Sequence, residues 1–280
     1  TIRMRIPIDG DISFKDLVYG KINTKCSELD DFIIARSDGS PTYNLTVVVD
    51  DNDMNISHVI RGEDHISNTP KQMLIYKALE WTIPKFGHLP MILGSDGKRL
   101  SKRHGAKGTS EYKDLGYLPD TLINYLALLG WNPGNDDEIF DFNYLKENFS
   151  LDKVNKKSAV FDNTKLEWVS SQNIFKISAA KLVDIASEFD PTWCGEGHSL
   201  EYLVKVIELI KDRIKTLSDI KENAFYFFNH PTEYDEAAMK KCWVENTNGI
   251  LNSFQEELSH LDDWNSSNID ELIDKCVNAI

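Results

Sequence analysis

The sequence predicts an α/β domain followed by an all-α domain, and two patterns carry this prediction. Between residues 41 and 93, short apolar runs typical of buried strands are separated by a charged turn and a helical segment, an order that favours an α/β domain. After residue 176, apolar residues recur at the spacing of one helix face almost to the end of the chain. A chain of 280 residues is also long enough for about two domains.

The composition is that of a globular protein. Apolar residues make up 41% of the chain, no apolar run approaches the roughly 20 residues of a membrane span, and no signal-peptide pattern opens the sequence. The four cysteines are scattered and form no Cys-x-x-Cys pair, so neither a disulfide framework nor protein-bound zinc is predicted. We therefore expect a cytoplasmic protein with free thiols and no membrane partner.

The formal net charge of −14 is divided unevenly along the chain. Residues 1–175 contain 21 Lys and Arg against 25 Asp and Glu, whereas residues 176–280 contain 10 against 20. Nucleic-acid-binding proteins usually have a basic domain, and neither part of this chain is basic. Any contact with nucleic acid must therefore use local basic patches, and the overall negative field would oppose non-specific binding.

Turn residues and apolar runs define the elements of the first half. Residues 1–40 are expected to form short strands and turns, which end at a Ser-Asp-Gly-Ser-Pro turn signal. The apolar run Leu45–Val49 predicts a strand buried on both faces of a parallel sheet, and Asn55–Ile60 predicts a second strand. Thr69 and Pro70 are then typical of a helix start, with Thr69 as the cap and Pro70 as the first helical residue.

Helical patterns dominate the second half. Pro119–Trp131 predicts one helix, and residues 134–175 predict a mixture of short helices and loops. Ser199 and Ser218 are expected to cap two further helices. The chain beyond residue 176 is therefore predicted to be an acidic helix bundle.

The third apolar segment, Phe86–Leu93, leads into a glycine-rich basic loop that reaches Gly108. Five cations fall within ten positions of this loop, namely Lys98, Arg99, Lys102, Arg103 and Lys107. Such a loop cannot build a core, but it can close over a polyphosphate, since its cations supply charge and its backbone amides supply hydrogen-bond donors. The alternative is a charged turn that is simply solvated.

A second cluster of polar residues, Arg61-Gly62-Glu63-Asp64-His65, follows an apolar strand and precedes a helix. The carboxyl ends of parallel strands are where α/β sheets bind ligands, and Arg61 could there hold a carboxylate through two hydrogen bonds. The alternative is a structural ion pair between Arg61 and Glu63 or Asp64.

Tyr43 and the histidines are less specific signals. The Tyr43 hydroxyl could bind a small polar ligand, and the alternative is a half-buried strand tyrosine. No metal-ligand spacing relates His58, His65, His88 and His104, so no metal site is predicted.

The string Arg99-Leu100-Ser101-Lys102-Arg103 resembles the Lys-Met-Ser-Lys-Ser signature loop of class I aminoacyl-tRNA synthetases, in the Lys-Leu-Ser-Lys-Arg form typical of glutamyl-tRNA synthetases. Arg99 replaces the usual first lysine and preserves its charge. Further segments resemble the bacterial glutamyl-tRNA synthetase family, namely residues 38–44, 48–51, 58–65, 116–119, 124–126 and 129–131. The dense similarity extends from about residue 28 to 175.

The resemblance implies a division of the chain into four parts. These would be the tail of an acceptor-stem-binding insertion (1–40), the second half of a Rossmann-type class I synthetase catalytic domain (41–108), a stem-contact domain (109–175) and an incomplete helical anticodon-binding domain (176–280).

The resemblance also implies glutamate–tRNA ligase activity. The family forms glutamyl-adenylate from L-glutamate and ATP, which Mg²⁺ accompanies, and transfers glutamate to the 2′-hydroxyl of the terminal adenosine of tRNA(Glu). By position, Lys102 would neutralise charge on the leaving pyrophosphate, and Ser101 and Arg103 would let the loop close. ATP would be bound by Arg99, Leu100, Lys102, Asp64, His65, Ile92 and Leu93, and glutamate by Tyr43 and Arg61. The protein is expected to be a monomer without protein metal ligands in this segment.

One family motif is missing from the chain. In the family, a His-Ile-Gly-His-type motif binds ATP from the side opposite to the basic loop, and this motif is absent here. Phe86-Gly87-His88-Leu89 does not replace the motif, because this segment directly precedes the signature loop. We therefore expect a truncated or proteolysed glutamyl-tRNA synthetase that is inactive alone. The alternatives are a non-catalytic tRNA-binding paralogue, which has little need for Ser101-Lys102, and another nucleotidyltransferase, which does not explain the helical second half.

Overall fold

The computed structural model describes residues 1–101 and 107–277 and divides into two compact units, Thr1–Phe227 and Phe228–Ile280. The first unit opens with two antiparallel strand pairs. Strand β1 (Ile2–Arg3) pairs with β4 (Ile33–Ala35), and β2 (Asp11–Asp16) forms a hairpin with β3 (Gly20–Lys25). The predicted short strands and turns of residues 1–40 are thus confirmed.

The prediction of a buried strand at Leu45–Val49 is wrong, because this run lies inside helix α1 (Tyr43–Asp53). A short apolar run does not by itself distinguish a buried strand from a buried helix. Only Val48 of the helix is fully buried, and it packs on Ile75 and Tyr76. Packing on one face therefore outweighs the strand preference of three successive valines. Tyr43 consequently opens a helix and does not precede a strand.

A parallel strand pair follows helix α1 along the chain. Strand β5 (His58–Gly62) pairs in parallel with β6 (Lys85–Leu89), and helix α2 (Thr69–Ala78) connects them. The second strand is confirmed but spans His58–Gly62 in place of Asn55–Ile60, so Arg61 and Gly62 belong to it. The helix is also confirmed, but Asn68 and not Thr69 is its N-cap residue. Apolar side chains of α2 and β6 pack against the N-terminal strands in one core, formed by Ile6, Ile12, Cys26, Met73, Leu74 and Phe86.

The segment beyond β6 contains a second parallel pair, β7 (Ile92–Leu93) with β8 (Ala159–Val160). Three helices lie between these strands along the chain, namely α3 (Thr109–Asp114), α4 (Pro119–Leu128) and α5 (Phe142–Asn148). Helix α6 (Asn163–Lys176) follows β8. The predicted helix at Pro119 is confirmed, although it ends at Leu128. The mixture predicted for residues 134–175 is also present, with α6 longer than expected.

Three helices complete the first unit, namely α7 (Ala179–Phe189), α8 (Leu200–Ile210) and α9, which starts at Ser218 and is assigned as far as Phe228. Ser199 is the N-cap of α8, where its hydroxyl accepts a hydrogen bond from the Tyr202 N–H at 3.3 Å. Ser218 is the first residue of α9 and not the residue before it. The apolar stripe of α8 is fully buried at Ile207 and Ile210.

The second unit is formed by α10 (Glu236–Cys242), α11 (Thr247–Ser259) and α12 (Ser266–Val277). Lys275 of α12 forms an ion pair with Glu257 of α11 at 2.8 Å. From residue 176 to 277 the structure assigns helices and no strand, as the periodicity predicted. Among the described residues, no helix combines the length and the apolar character needed to cross a bilayer.

Candidate functional site

Arg61 is held near the carboxyl end of β5 by neutral acceptors. Its Nε donates to His88 Nε2 at 3.2 Å, and its Nη2 donates to Thr69 Oγ1 at 2.9 Å and to Gln72 Oε1 at 2.8 Å. Nη2 also lies 3.4 Å from the carbonyl oxygen of His65. In residues 1–101 and 107–277, Arg61 forms no salt bridge, so the alternative of an ion pair with Glu63 or Asp64 is wrong.

The charge of Arg61 is partly desolvated. Burial lowers the pKa of its guanidinium, and the neighbouring Tyr43 hydroxyl and the Asp51 and Asp64 carboxylates oppose this shift. An arginine remains protonated at neutral pH under such shifts, because its pKa starts far above neutrality. The site therefore presents a fixed cation without a bonded carboxylate, which suits an anionic ligand.

His88 and Asp16 form a buried pair behind Arg61. Both side chains are 0% exposed, and His88 Nδ1 lies 2.6 Å from Asp16 Oδ2. Burial lowers the pKa of His88, although Asp16 opposes this effect. Burial alone would raise the pKa of Asp16, but hydrogen bonds from Tyr19, His88 and Val18 outweigh it and lower that pKa. The arrangement is therefore a neutral imidazole beside an ionised carboxylate.

Tyr43 and His65 line the outer side of the Arg61 site. The Tyr43 hydroxyl lies 3.3 Å from His65 Nδ1, and their ring centroids are 5.7 Å apart. Tyr43 is also close enough to Arg61 to oppose the lowering of its pKa, and it is 52% exposed. The structure therefore brings together the two residues predicted to bind glutamate, with one of them accessible from solvent.

Asp64 links the turn after β5 to the basic loop. Its Oδ2 accepts a hydrogen bond from Arg99 Nη1 at 3.1 Å. A Cβ at Gly62 would lie 2.6 Å from Asp64 Oδ1, so Asp64 can adopt this position only because residue 62 is a glycine. Two residues predicted to bind ATP are thus in direct contact.

The described part of the basic loop is a hairpin that begins with β7. The Gly94 N–H donates to the Lys98 carbonyl at 2.8 Å, and the Leu100 N–H donates to the Ile92 carbonyl at 2.9 Å. Ile92, Leu93, Arg99 and Leu100 are therefore neighbours, and the partly buried Ser101 follows them directly. Lys102 and Arg103, which were also predicted as site residues, lie outside the described residues.

Glu63 ties the N-terminal hairpin to the segment that leads into β7. Its carboxylate accepts hydrogen bonds from the Met91 N–H at 3.0 Å and from the Tyr19 hydroxyl. Burial, together with Glu63, raises the pKa of Tyr19 to about 12. Sequence reasoning found neither this link nor the roles of Asp16, His88 and Gln72, because their partners are distant in sequence and no local pattern marks them.

The described residues contain no group of three or more His, Cys, Asp or Glu side chains arranged to hold a metal ion.

A family model described as the catalytic domain of class I tRNA synthetases (E and Q) matches residues 1–168, and an anticodon-binding domain model matches residues 179–279. The chain belongs to the class I tRNA synthetases of this E and Q family. The fold class predicted from the sequence is therefore confirmed.

Named relatives of this synthetase chain support the glutamate branch of the family. It is 41% identical to glutamate–tRNA ligase 2 of Halorhodospira halophila over 99% of the chain and 59% of that relative. Glutamate–tRNA ligase 1 of Coxiella burnetii is 46% identical over 97% of the chain and 58% of that relative. The chain thus spans less than two thirds of the length of these curated relatives.

A solved structure agrees with these similarities. The crystal structure of a glutamate tRNA ligase from Elizabethkingia meningosepticum, in complex with its amino acid, superposes with a TM-score of 0.86 at 32% identity. The superposition covers 99% of this synthetase chain and 58% of that chain. The resemblance to glutamyl-tRNA synthetases proposed from the signature loop is therefore confirmed over nearly the whole chain.

Proposed function

We propose that the protein is a glutamate–tRNA ligase, which forms glutamyl-adenylate from L-glutamate and ATP and transfers glutamate to the terminal adenosine of tRNA(Glu). The observation that carries this proposal is the Arg61 guanidinium, which is held by neutral acceptors three residues before Asp64, the residue that contacts Arg99 of the signature loop. Relatives named glutamate–tRNA ligase, with 41–46% identity, support the same reaction.

Glutamate would bind at Arg61 and Tyr43. Arg61 offers a charge-assisted hydrogen bond to one substrate carboxylate, and the exposed Tyr43 hydroxyl offers a neutral partner beside it. Because Nε and Nη2 of Arg61 are engaged by the protein, the guanidinium is oriented before the substrate arrives. Such preorganisation lowers the ordering cost of binding.

ATP would bind between the turn after β5 and the signature loop. Asp64, His65, Ile92, Leu93, Arg99 and Leu100 form the described part of this site, and Ser101, Lys102 and Arg103 would close over the phosphates. Lys102 would stabilise the charge that develops as pyrophosphate leaves, a contribution that typically amounts to a few kcal/mol. Mg²⁺ would enter with ATP as part of the substrate.

tRNA(Glu) would contact the parts of the chain beyond the catalytic region. We assign residues 1–40 to the acceptor-stem-binding insertion, 41–108 to the catalytic domain, 109–175 to stem contacts and 176–280 to anticodon binding. The anticodon-binding family model that matches residues 179–279 supports the last of these. We further propose that the ligase is a cytoplasmic monomer.

Glutamate-dependent exchange of pyrophosphate into ATP tests the proposal directly. The product of the complete open reading frame is assayed with tRNA(Glu) present, beside the 280-residue chain, which is expected to be inactive alone. Glutamate-dependent exchange by the complete product supports the proposal. Binding of tRNA without exchange would instead favour a non-catalytic tRNA-binding paralogue.

A further inference from the structure

We propose that Asp16 and His88 are positioning residues for Arg61. Asp16 determines which nitrogen of His88 carries the proton, and the other nitrogen then holds Arg61 in the orientation that receives a ligand carboxylate. The inference rests on the proposed function only for the identity of that ligand, which is glutamate.

The Asp16 carboxylate is built to stay ionised. Oδ1 accepts hydrogen bonds from the backbone N–H groups of Val18 at 2.9 Å, Tyr19 at 2.8 Å and His88 at 3.3 Å. Oδ2 remains for His88 Nδ1 at 2.6 Å. A carboxylate with these donors can only accept, so the proton of the neutral imidazole belongs on Nδ1.

The opposite nitrogen of His88 is then a lone-pair acceptor. Nε2 receives the Arg61 Nε–H at 3.2 Å, and Thr69 Oγ1 lies at the same distance from it. A proton on Nε2 would point at a guanidinium N–H and remove this hydrogen bond. The tautomer of His88 therefore decides whether Arg61 has an acceptor for its Nε.

The protein holds the Arg61 guanidinium through two of its three nitrogens, Nε and Nη2. His88 engages Nε, while Thr69 and Gln72 engage Nη2. Nη1 is bonded to none of these three residues, so we expect it to be the nitrogen that receives a ligand carboxylate. Rotation of the guanidinium towards another acceptor would break three hydrogen bonds at once, so the buried pair sets the direction of the cation together with Thr69 and Gln72.

These residues come from separate elements. Asp16 ends β2 in the N-terminal hairpin, His88 lies in β6, and Arg61 lies in β5. The Leu17 N–H donates to the Phe86 carbonyl at 2.9 Å, which places the hairpin against β6. The N-terminal hairpin thus acts on the ligand site through the imidazole of His88.

Asp16→Asn is an isosteric test of this arrangement. Three backbone N–H groups surround Oδ1 and require an oxygen there, so the introduced amide must direct its NH₂ group at His88 Nδ1. This group is a donor, and it forces the imidazole proton to Nε2. The variant therefore keeps the packing while reversing the tautomer.

The first measurement is nitrogen-15 NMR of the 280-residue chain. We expect His88 to carry its proton on Nδ1 and the Arg61 Nε–H to exchange slowly with solvent. In Asp16→Asn the proton should move to Nε2 and the Arg61 Nε–H should exchange at least about 10-fold faster, because its acceptor is lost. An unchanged tautomer and exchange rate in a folded variant would overturn the proposal.

The second measurement separates positioning from a merely structural role. In the complete open reading frame product, Asp16→Asn should raise the KM for glutamate by roughly 10- to 100-fold and leave the KM for ATP unchanged. Tyr125→Phe is the matched control, since it removes a buried hydroxyl that bonds to Asp162 and has no contact with Arg61. Equal glutamate KM values in the two variants would overturn the positioning role.

A rescue series at His88 extends the test. His88→Gln retains one donor for Asp16 and one acceptor for Arg61, whereas His88→Leu retains neither. The glutamine variant should therefore bind glutamate more tightly than the leucine variant, and the reverse order would contradict the proposal. If the wild-type protein does not use glutamate, the proposed function fails, and the NMR signals of His88 and Arg61 still decide the positioning.

Discussion

Asp64 Oδ2 lies 3.1 Å from Arg99 Nη1, so an ion pair joins the turn after β5 to the signature loop. The Arg99 side chain is 69% exposed and that of Asp64 is 35% exposed. Ion pairs at such exposure contribute only about 0–1 kcal/mol to stability. The contact can therefore be given up at low cost, as the proposed closure of the loop over ATP would require.

Gly62→Ala should break this ion pair without unfolding the protein. The new Cβ would lie 2.6 Å from Asp64 Oδ1, and the carboxylate, as the free end of a side chain, can move away. We expect a loss of less than about 1 kcal/mol in stability, because the ion pair is exposed. The KM for ATP should rise roughly 10-fold, because the displaced Asp64 is one of the residues that we place at the ATP site. Gly130→Ala is the control, since its Cβ would meet only Val154 at 3.9 Å. Equal effects of the two variants on the KM for ATP would contradict the prediction.

Lys102→Ala should lower kcat for adenylate formation by about 10²-fold or more, because a preorganised cation at the leaving group acts mainly in the transition state. The KM for glutamate should stay nearly constant. Lys98→Ala is the control, since Lys98 is a cation of the same loop but is not among the residues that we place at the phosphates. Single-turnover formation of adenylate measures both. Normal aminoacylation by Lys102→Ala would refute the proposed role of the loop.

Arg61→Lys should raise the KM for glutamate by about 10- to 100-fold, since a hydrogen bond to a charged group contributes roughly 1.5–3 kcal/mol. Lysine keeps the charge but lacks the guanidinium geometry that reaches His88 and Gln72 together. The KM for ATP is the internal reference. Arg36→Lys, in the exposed turn before α1, is the control variant. A glutamate KM that is unchanged in Arg61→Lys would exclude Arg61 as the carboxylate ligand.

The signature loop could be recognised from sequence because its chemistry is local. The glycines and cations of residues 93–108 are adjacent in the chain, and their order is what resembles the signature loop of class I synthetases. The Asp16–His88 pair could not be found in this way. Its members are 72 residues apart, and each is an ordinary residue at the end of, or within, a strand.

Helix α1 shows the complementary difficulty. Its apolar run Leu45–Val49 carries three valines, and a run of this length fits a buried strand as well as a helix. The run is helical because a helix places Val48 against the surface formed by Ile75 and Tyr76. That surface is formed by residues distant in sequence from the run, so no local feature of the run could reveal it.

Stability should fall as the pH drops below about 6.5, and His88 should account for part of this fall. Because burial lowers the pKa of His88 in the folded state, the unfolded chain binds a proton at higher pH than the folded chain. The stabilisation is complete above the unfolded pKa and decreases by at most about 1.4 kcal/mol per pH unit below it. Urea unfolding of wild type and His88→Gln between about pH 5 and 7.5 measures this. Identical slopes would show that His88 does not contribute.

A methyl group added in the turn after α3, at Gly116, should strongly lower the free energy of unfolding. Gly116 has φ +81°, and a Cβ there would lie 2.7 Å from the Ser218 nitrogen and 2.8 Å from the Leu217 nitrogen. The Gly116 carbonyl accepts the Leu217 N–H at 2.9 Å, so the start of α9 is hydrogen-bonded to this turn. Backbone atoms cannot move aside as a carboxylate can.

Gly116→Ala should therefore destabilise the protein by roughly 3 kcal/mol or more, because it combines an unfavourable φ with a backbone clash. Gly134→Ala separates the two causes, since Gly134 has φ +98° but a Cβ there would meet nothing within 4 Å. That control should cost only about 1–2 kcal/mol, the strain of a left-handed alanine. Thermal unfolding measures both variants. Equal losses would mean that the close approach of α9 to Gly116 contributes nothing, and that only the backbone conformation requires glycine.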